Sequence, residues 1–188
     1  TLRVGDKELE VTYNIEPKTQ YLIDSISTEI ESPVLDSIYA ANKENSILKK
    51  GKPFVFSDFE QEESRLVNLF RNSGIYHFKN YSMGFWTDSV QGSYMKDVLL
   101  KIPDRMVNRN DSVTKEPYKA QIVKQINIYT DFSITDQNRK VKDSASYQGY
   151  DFHSFEKMKF KPKYLVKSLF IEPNGLYKDS EKIQTQNY

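Results

Sequence analysis

Apolar residues between positions 21 and 102 recur first at strand spacing, then at helix spacing, and finally at strand spacing again. The pattern predicts a strand, two helices and two further strands, at residues 21–30, 33–42, 57–73, 81–88 and 94–102. Ser32 is expected to cap the first helix, with Pro33 in its first turn. The turn between the last two strands is short enough for an antiparallel hairpin. Two helices on one face of a small sheet make a stable two-layer unit.

The second helix carries the clearest end signals in the chain. Ser57 and Glu60 have the spacing of a capping box, in which each side chain binds a free backbone N–H of the first turn. Gly74 follows the last apolar position, where a left-handed residue commonly ends a helix. The predicted buried stripe consists of Phe59, Leu66, Leu69 and Phe70.

Two short motifs recur and predict a degenerate tandem repeat. Val-x-x-x-Ile shortly before a proline occurs at 11–15 and 98–102, and in each case a predicted strand follows, the second at 122–130. Gly51-Lys-Pro-Phe54 precedes a helix, as Gly175-Leu-Tyr177 does. We therefore expect the end of one unit at 1–18, a whole unit at 19–104, and a partial or variant unit at 105–188 with a polar surface insertion near 131–149.

Composition narrows the possible functions. The 27 basic and 26 acidic side chains give a net charge of +1, so no global field favours nucleic acid or an anionic membrane. Cysteine is absent, which excludes disulfides, thiolate metal sites and cysteine nucleophiles. No apolar run approaches the ~18 residues of a membrane span. Aromatic residues make up 13% of the chain, which favours sheet faces and contact surfaces over a helical bundle.

The candidate chemical groups do not favour an enzyme. Glu60, Glu62 and Glu63 could supply a carboxylate pair, but acidic residues in the first turns of a helix are explained by the helix dipole. His77 and His153 have no neighbours at metal-ligand spacing. We therefore expect no catalytic residues, no metal and no cofactor.

One stretch combines basic and aromatic residues. Its lysines are Lys157, Lys159, Lys161, Lys163 and Lys167, interleaved with Phe155, Phe160 and Tyr164. One interpretation is a contact for phosphates, in lipid headgroups or nucleic acid. The other is a solvated strand and helix entry whose aromatic side chains point inward. The net charge makes nucleic acid the weaker part of the first interpretation.

The element order and repeat length resemble the polypeptide-transport-associated (POTRA) domains of outer-membrane assembly and translocation proteins, the BamA and TamA surface-antigen class. Two runs carry the resemblance: Leu48-x-x-Gly51-x-Pro53-Phe54 leading into residues 59–78, and Leu169-x-Ile171-x-Pro173-x-Gly175-x-Tyr177. Phe85-x-x-Asp88 followed by Val98-x-Leu100-x-Ile102 is similar to the closing hairpin of that family. The third unit departs from the family pattern, because it has a long insertion and stops before its own hairpin.

The resemblance implies an α+β fold of tandem βααββ units, each a three-stranded mixed sheet covered on one face by two helices. It implies a non-enzymatic periplasmic scaffold, the soluble part of an outer-membrane protein whose C-terminal membrane β-barrel would lie outside this sequence. The expected partners are unfolded outer-membrane β-barrel proteins and accessory subunits of the assembly machinery. A contact with the membrane surface centred on Lys157–Lys167 is the alternative.

The resemblance also places the strand at 81–88 at a sheet edge, where an extended client or partner segment could add to the sheet. The candidate binding residues are Ser82, Met83, Gly84, Phe85, Trp86, Thr87 and Asp88. Strict alternation would put Tyr81, Met83 and Phe85 on one face, and Gly84 would let another backbone approach closely. Ordinary core packing by one face is the competing interpretation.

Overall fold

The computed structural model describes residues 2–4, 9–17, 19–109, 112–134 and 139–187. The strands are β1 (Leu2–Val4), β2 (Leu9–Val11), β3 (Leu22–Ile30), β4 (Gly84–Ser89), β5 (Met95–Ile102), β6 (Arg105–Arg109), β7 (Ser112–Glu116), β8 (Ile126–Tyr129), β9 (Asp143–Tyr147) and β10 (Tyr150–Ser154). The α-helices are α1 (Pro33–Ala41), α2 (Phe56–Asn72), α3 (Pro162–Leu165) and α4 (Asp179–Asn187).

Residues 22–102, called the central unit below, follow the predicted order of strand, two helices and two strands. The sheet order is β3-β5-β4, with β3 parallel and β4 antiparallel to β5. The predicted α+β class with small mixed sheets is confirmed. The central unit therefore has the βααββ order and the three-stranded mixed sheet that the sequence resemblance implies.

The core of the central unit lies between the sheet and the two helices. Strand β5 is in the middle of the sheet, and its Val98, Leu100 and Ile102 are fully buried. Burial of these alternate residues fits a strand with one face on the core. The helices contribute Leu35, Tyr39, Phe59, Leu66 and Phe70. The predicted stripe of α2 is therefore confirmed, although Leu69 is only partly buried.

The side-chain caps predicted at the starts of α1 and α2 do not form. Helix α2 begins one residue earlier than expected, at Phe56, and Val55 in the capping position makes no side-chain cap. Ser32 does precede α1, but its hydroxyl donates to Asp104 and accepts the Tyr118 N–H at 2.8 Å. Long-range partners have therefore replaced the local hydrogen bond that the sequence predicts.

Residues 126–187, called the C-terminal unit, contain a second mixed sheet with the order β8-β10-β9. Strand β8 is parallel and β9 antiparallel to β10, so the pairing repeats that of the central unit. The connections differ, because all three strands precede α3 and α4. The polar stretch at 131–149 is not purely a surface insertion, since β9 lies within it and pairs with β10.

Two hairpins flank the central unit. Strands β1 and β2 pair antiparallel at the start of the chain, and β2 ends at Val11, the first residue of the Val-x-x-x-Ile motif at 11–15. Strands β6 and β7 form the second hairpin. Tyr118, which follows it, is only 6% exposed and packs against Phe78 of the central unit. The division at 1–18, 19–104 and 105–188 remains a prediction.

Gly74 ends α2 with a positive φ of 91°, as expected, and it is also closely packed. A Cβ added there would lie 2.7 Å from Leu176 and 3.2 Å from Ala120. We expect Gly74→Ala to destabilise the protein by about 2 kcal/mol or more, because an L side chain is strained at positive φ and the neighbours must also move. Gly92→Ala is the matched control, since Gly92 has φ 74° and open space around it. Equal urea midpoints for the two variants would exclude a packing contribution at Gly74.

Candidate strand-addition edge

Strand β4 is an edge strand of the central sheet, paired only with β5 among the described residues. The Val90 N–H donates to the Met95 carbonyl at 3.0 Å. Since hydrogen-bonded and non-hydrogen-bonded pairs alternate in an antiparallel ladder, Gly84, Trp86 and Asp88 bond to β5. The N–H and C=O groups of Phe85, Thr87 and Ser89 therefore point away from the sheet.

The last of these outward groups is already occupied. The Ser89 N–H points away from β5 and donates to Oδ1 of Asp88 at 2.8 Å. This local bond fits the alternation and ends the free edge at Ser89. Phe85 and Thr87 remain as the two residues whose donors and acceptors face outward, in the spacing that an added strand requires.

The candidate residues do not form one continuous strand. Ser82 belongs to a 3-10 turn at residues 80–82, where its Oγ accepts the Lys79 N–H at 3.1 Å. Met83 is 8% exposed and belongs to the core. Tyr81, expected on the same face as Met83, is 82% exposed because the turn interrupts the alternation. The accessible edge therefore begins at Gly84.

Trp86 and Gly84 form a contact that the sequence does not indicate. The Trp86 side chain is 53% exposed, on the face opposite the core. Its ring lies over Gly84, where an added Cβ would be 2.9 Å from two ring atoms. Lys101 Nζ lies 5.6 Å from the ring centroid. The missing Cβ of Gly84 thus accommodates the indole of its own strand, which corrects the expectation that it leaves room for another backbone.

The inner side of β4 faces helix α2. The Phe85 ring packs against Phe59 of α2, with centroids 5.3 Å apart and the planes at 79°. Phe85 is only partly buried. It packs against two groups of core residues, one around Phe70 and one around Phe59. A segment added to β4 would therefore have its backbone at the free edge and one row of side chains beside α2.

The opposite edge of the sheet is partly covered. The segment 51–54 runs along the start of β3, where the Gly51 N–H donates to Ile23 O at 2.7 Å and the Ile23 N–H donates to Lys52 O at 2.9 Å. This cover makes the start of β3 a poorer acceptor for an added strand than β4. The Gly51-Lys-Pro-Phe54 motif found in the sequence therefore covers the start of one sheet edge.

Arg71 joins the central unit to the C-terminal unit, a role for which the sequence gives no signal. Its Nη1 donates to the carbonyls of Tyr76 and Phe78, and its Nη2 donates to Tyr177 Oη at 3.1 Å and Asp179 Oδ1 at 2.5 Å. Tyr177 is 8% exposed and also donates to Asp179. The hydrogen bond from Arg71 lowers the pKa of Asp179 against the opposing effect of burial. These bonds fix the start of α4 against the end of α2.

The junction of Arg71, Tyr177 and Asp179 should make the protein less stable at alkaline pH. Burial, followed by the hydrogen bond to Asp179 and its charge, raises the pKa of Tyr177 from 10.0 to about 12. The folded state holds the phenol proton more tightly, so this stabilisation is complete below the unfolded pKa and is lost as the pH rises through the folded pKa. We expect unfolding free energy to fall between pH 10 and about 12, and less steeply in Tyr177→Phe. The control is Tyr81→Phe, because the Tyr81 side chain is 82% exposed. If unfolding free energy falls with pH as steeply in Tyr177→Phe as in the parent chain, Tyr177 is not the group responsible.

The acidic and histidine side chains considered in the sequence as chemical groups lie in different surroundings. Glu62 is 2% exposed and paired with Arg65, whereas Glu60 is exposed, so the acidic cluster is not simply a helix-dipole feature. His77 is exposed beside Tyr76, and His153 lies in β10 between Ser144 and Asn127. Within the described ranges, no three His, Asp or Glu side chains are grouped as metal ligands.

The lysines of the basic-aromatic stretch all lie in the C-terminal unit and are all exposed. They occupy the loop after β10, the helix α3 and the 3-10 turn at residues 166–168. Phe155 is buried, as the solvated-strand interpretation expects, but Phe160 and Tyr164 are 57% and 58% exposed. None of the helices in the described part of the chain combines the length and apolar character needed to cross a membrane.

No protein-family model and no curated protein sequence matches this chain significantly. Among solved structures, the crystal structure of BamA POTRA domains 3–5 from Haemophilus influenzae is similar, with a TM-score of 0.48 and 11% identity over 100% of this chain and 57% of that chain. The N-terminal domain of Omp85 from the thermophilic cyanobacterium Thermosynechococcus elongatus gives a TM-score of 0.29 and 7% identity, over 91% of this chain and 85% of that chain. The present chain thus spans less than two thirds of the BamA chain.

Proposed function

We propose that this chain is part of a periplasmic POTRA-type scaffold that binds extended protein segments by strand addition to β4. The observation that carries the proposal is the free edge of β4, where Phe85 and Thr87 direct backbone donors and acceptors outward. The partly buried Phe85 ring beside Phe59 of α2 supports it, because added strands gain affinity from backbone bonds and specificity from alternate side-chain contacts.

Backbone pairing suits clients of many different sequences. Each bond uses the N–H and C=O groups that every non-proline residue carries, so the edge selects an extended conformation rather than a particular sequence. Unfolded outer-membrane β-barrel proteins are the proposed clients, because they supply many segments of alternating apolar and polar residues. Accessory subunits of the same assembly machinery are the other proposed partners.

The proposal includes no chemical step. The exposed groups around β4 are hydroxyl, carboxylate and indole side chains with no assembled nucleophile and base. The free edge, the partly buried Phe85 and the covered β3 together favour binding over catalysis. We accordingly propose a scaffold that holds extended clients and passes them on to a membrane-embedded partner domain.

The test is an NMR titration of isotopically labelled protein with a peptide corresponding to one strand of an outer-membrane β-barrel protein. We expect shifts at the amides of Phe85 and Thr87, with protection of both from hydrogen exchange, and smaller shifts at Phe59. The same peptide with proline at every position whose N–H would face β4 is the control, since it cannot donate to the edge. Shifts confined to β3, or no saturable shifts, would contradict the proposal.

A further inference from the structure

The C-terminal unit presents an exposed surface of basic and aromatic side chains. It consists of five lysines and two aromatic side chains, and is called the lysine patch: Lys157, Lys159, Lys161, Lys163, Lys167, Phe160 and Tyr164. We propose that the lysine patch binds the surface of a membrane containing anionic phospholipids. This proposal is independent of strand addition, because the patch and β4 lie in different units.

Among the described residues, the lysines of the patch have no carboxylate partners. The neighbouring Glu156 is already bound to Arg139 at 2.6 Å and Lys142 at 3.1 Å. Lysines that form no ion pairs of their own attract an anionic surface.

The loop that carries the lysine patch is tied to the sheet. Asp131 Oδ1 accepts the Phe155 N–H at 3.0 Å, and Asp143 Oδ2 accepts the Met158 N–H at 2.9 Å. Phe155 is 4% exposed and anchors the loop beneath these bonds. The two carboxylates are thus used for internal bonds, and the lysines are presented by a fixed backbone.

Exposed aromatic side chains favour a membrane over a purely ionic partner. Phe160 is 57% exposed between Lys159 and Lys161, and Tyr164 is 58% exposed with Lys163 Nζ 4.9 Å from its ring centroid. A phenylalanine has no hydrogen-bonding group, so its exposure disfavours water and favours the boundary between headgroups and acyl chains. Tyrosine is suited to the same boundary because its ring is apolar and its hydroxyl is polar.

The choice of cation favours lipid over nucleic acid. All five cations of the patch are lysines, which act as point charges on flexible stems. Recognition of bases and paired phosphate oxygens favours the planar, bidentate guanidinium of arginine. A diffuse anionic surface requires no such geometry.

The test is co-flotation of the full chain with vesicles of phosphatidylcholine and phosphatidylglycerol, compared with vesicles of phosphatidylcholine alone. We expect binding only to the anionic vesicles, decreasing as ionic strength rises. Each lysine near such a surface changes partitioning about fivefold, so Lys159→Gln/Lys161→Gln should lower partitioning about 25-fold. The matched control is Lys119→Gln/Lys124→Gln, which removes two exposed lysines outside the patch and should partition like the parent chain.

The variant Phe160→Ser separates the contribution of the apolar side chain to membrane binding from the contribution of the lysine charges. It leaves all five lysines in place and should weaken binding to anionic vesicles, most clearly at the higher ionic strength, where the apolar contribution remains. The proposal is overturned if the parent chain does not float with anionic vesicles, or if the two double-lysine variants lose binding equally. Tighter binding to a single-stranded oligonucleotide than to anionic vesicles would also overturn it in favour of a nucleic-acid contact.

Discussion

Replacing Glu62 with alanine is expected to lower the free energy of unfolding by about 3 kcal/mol. Glu62 is 2% exposed, and its two carboxylate oxygens accept four hydrogen bonds. Arg65 donates from Nε at 2.9 Å and from Nη2 at 2.7 Å, the Ile47 N–H donates at 2.8 Å, and Ser46 Oγ donates at 2.9 Å. The bonds from Ser46 and Ile47 thus tie α2 to the segment that leads out of α1, while Arg65 holds the carboxylate from within α2.

The cost arises from the groups that the substitution leaves behind. Without Glu62, the Ile47 N–H and the Arg65 guanidinium lose their partners in a poorly hydrated site. Burial is the largest influence on the pKa of Glu62 and acts to raise it, but the combined bonds from Arg65, Ile47 and Ser46 outweigh burial and hold the pKa below its ordinary value. The stabilisation is therefore present above the unfolded pKa and lost as the pH falls through the lower folded pKa.

Urea denaturation followed by the fluorescence of Trp86 measures this effect, because Trp86 is the single tryptophan and lies in the central unit. Glu60→Ala is the matched control: it removes an exposed carboxylate from the same helix and should change stability by no more than about 0.5 kcal/mol. A loss below about 1 kcal/mol in Glu62→Ala would show that the network adds little to stability. The acid limb of the stability curve should also flatten in that variant.

Replacing Thr87 with proline is expected to lower the affinity for an added strand by about tenfold or more, while leaving the central sheet intact. The Thr87 N–H points away from β5, so proline removes a donor that the fold does not use. An added strand would then have one carbonyl without its partner near the middle of the edge. Trp86, which precedes position 87, is already extended and suits a following proline.

Thr87→Val is the matched control, because it alters the side chain and retains the backbone donor. Both variants are compared by titration with the β-strand peptide, and near-ultraviolet circular dichroism checks that the tertiary packing around Trp86 survives. If Thr87→Pro and Thr87→Val both bind the peptide as tightly as the parent chain, the β4 edge does not carry the interaction. Equal losses in both would instead assign binding to the threonine side chain and contradict a backbone mechanism.

Local signals predicted most of the central unit. The apolar spacing in 21–102 gave five elements that the structure contains, with β3 and α2 close to their expected ends. Pro33 lies in the first turn of α1, and Gly74 has positive φ, because both residues restrict their own backbone regardless of distant neighbours. The edge position of β4 followed from the family resemblance rather than from the pattern itself.

Sequence patterns gave wrong predictions where a distant part of the chain competes for the same groups. Ser32 has a capping sequence, but Asp104 and the Tyr118 N–H occupy its hydroxyl. Tyr81 continues an alternating pattern, but the 3-10 turn at residues 80–82 displaces it from the strand. The polar composition of 131–149 conceals β9, which pairs with β10 through backbone groups that composition does not report.

The sequence by itself determined the kinds of element, their order in the central unit and the absence of cysteine chemistry, because these depend on residue type and on spacing within a few turns of chain. Only the tertiary structure decided which groups are free and which are used. It turned the Phe85 and Thr87 amides outward, bound Glu62 to Arg65, joined Arg71 to Asp179 and left the five lysines without carboxylate partners among the described residues. The physical reason is that hydrogen bonds and ion pairs form between residues far apart in sequence, and a local pattern cannot specify which partner wins.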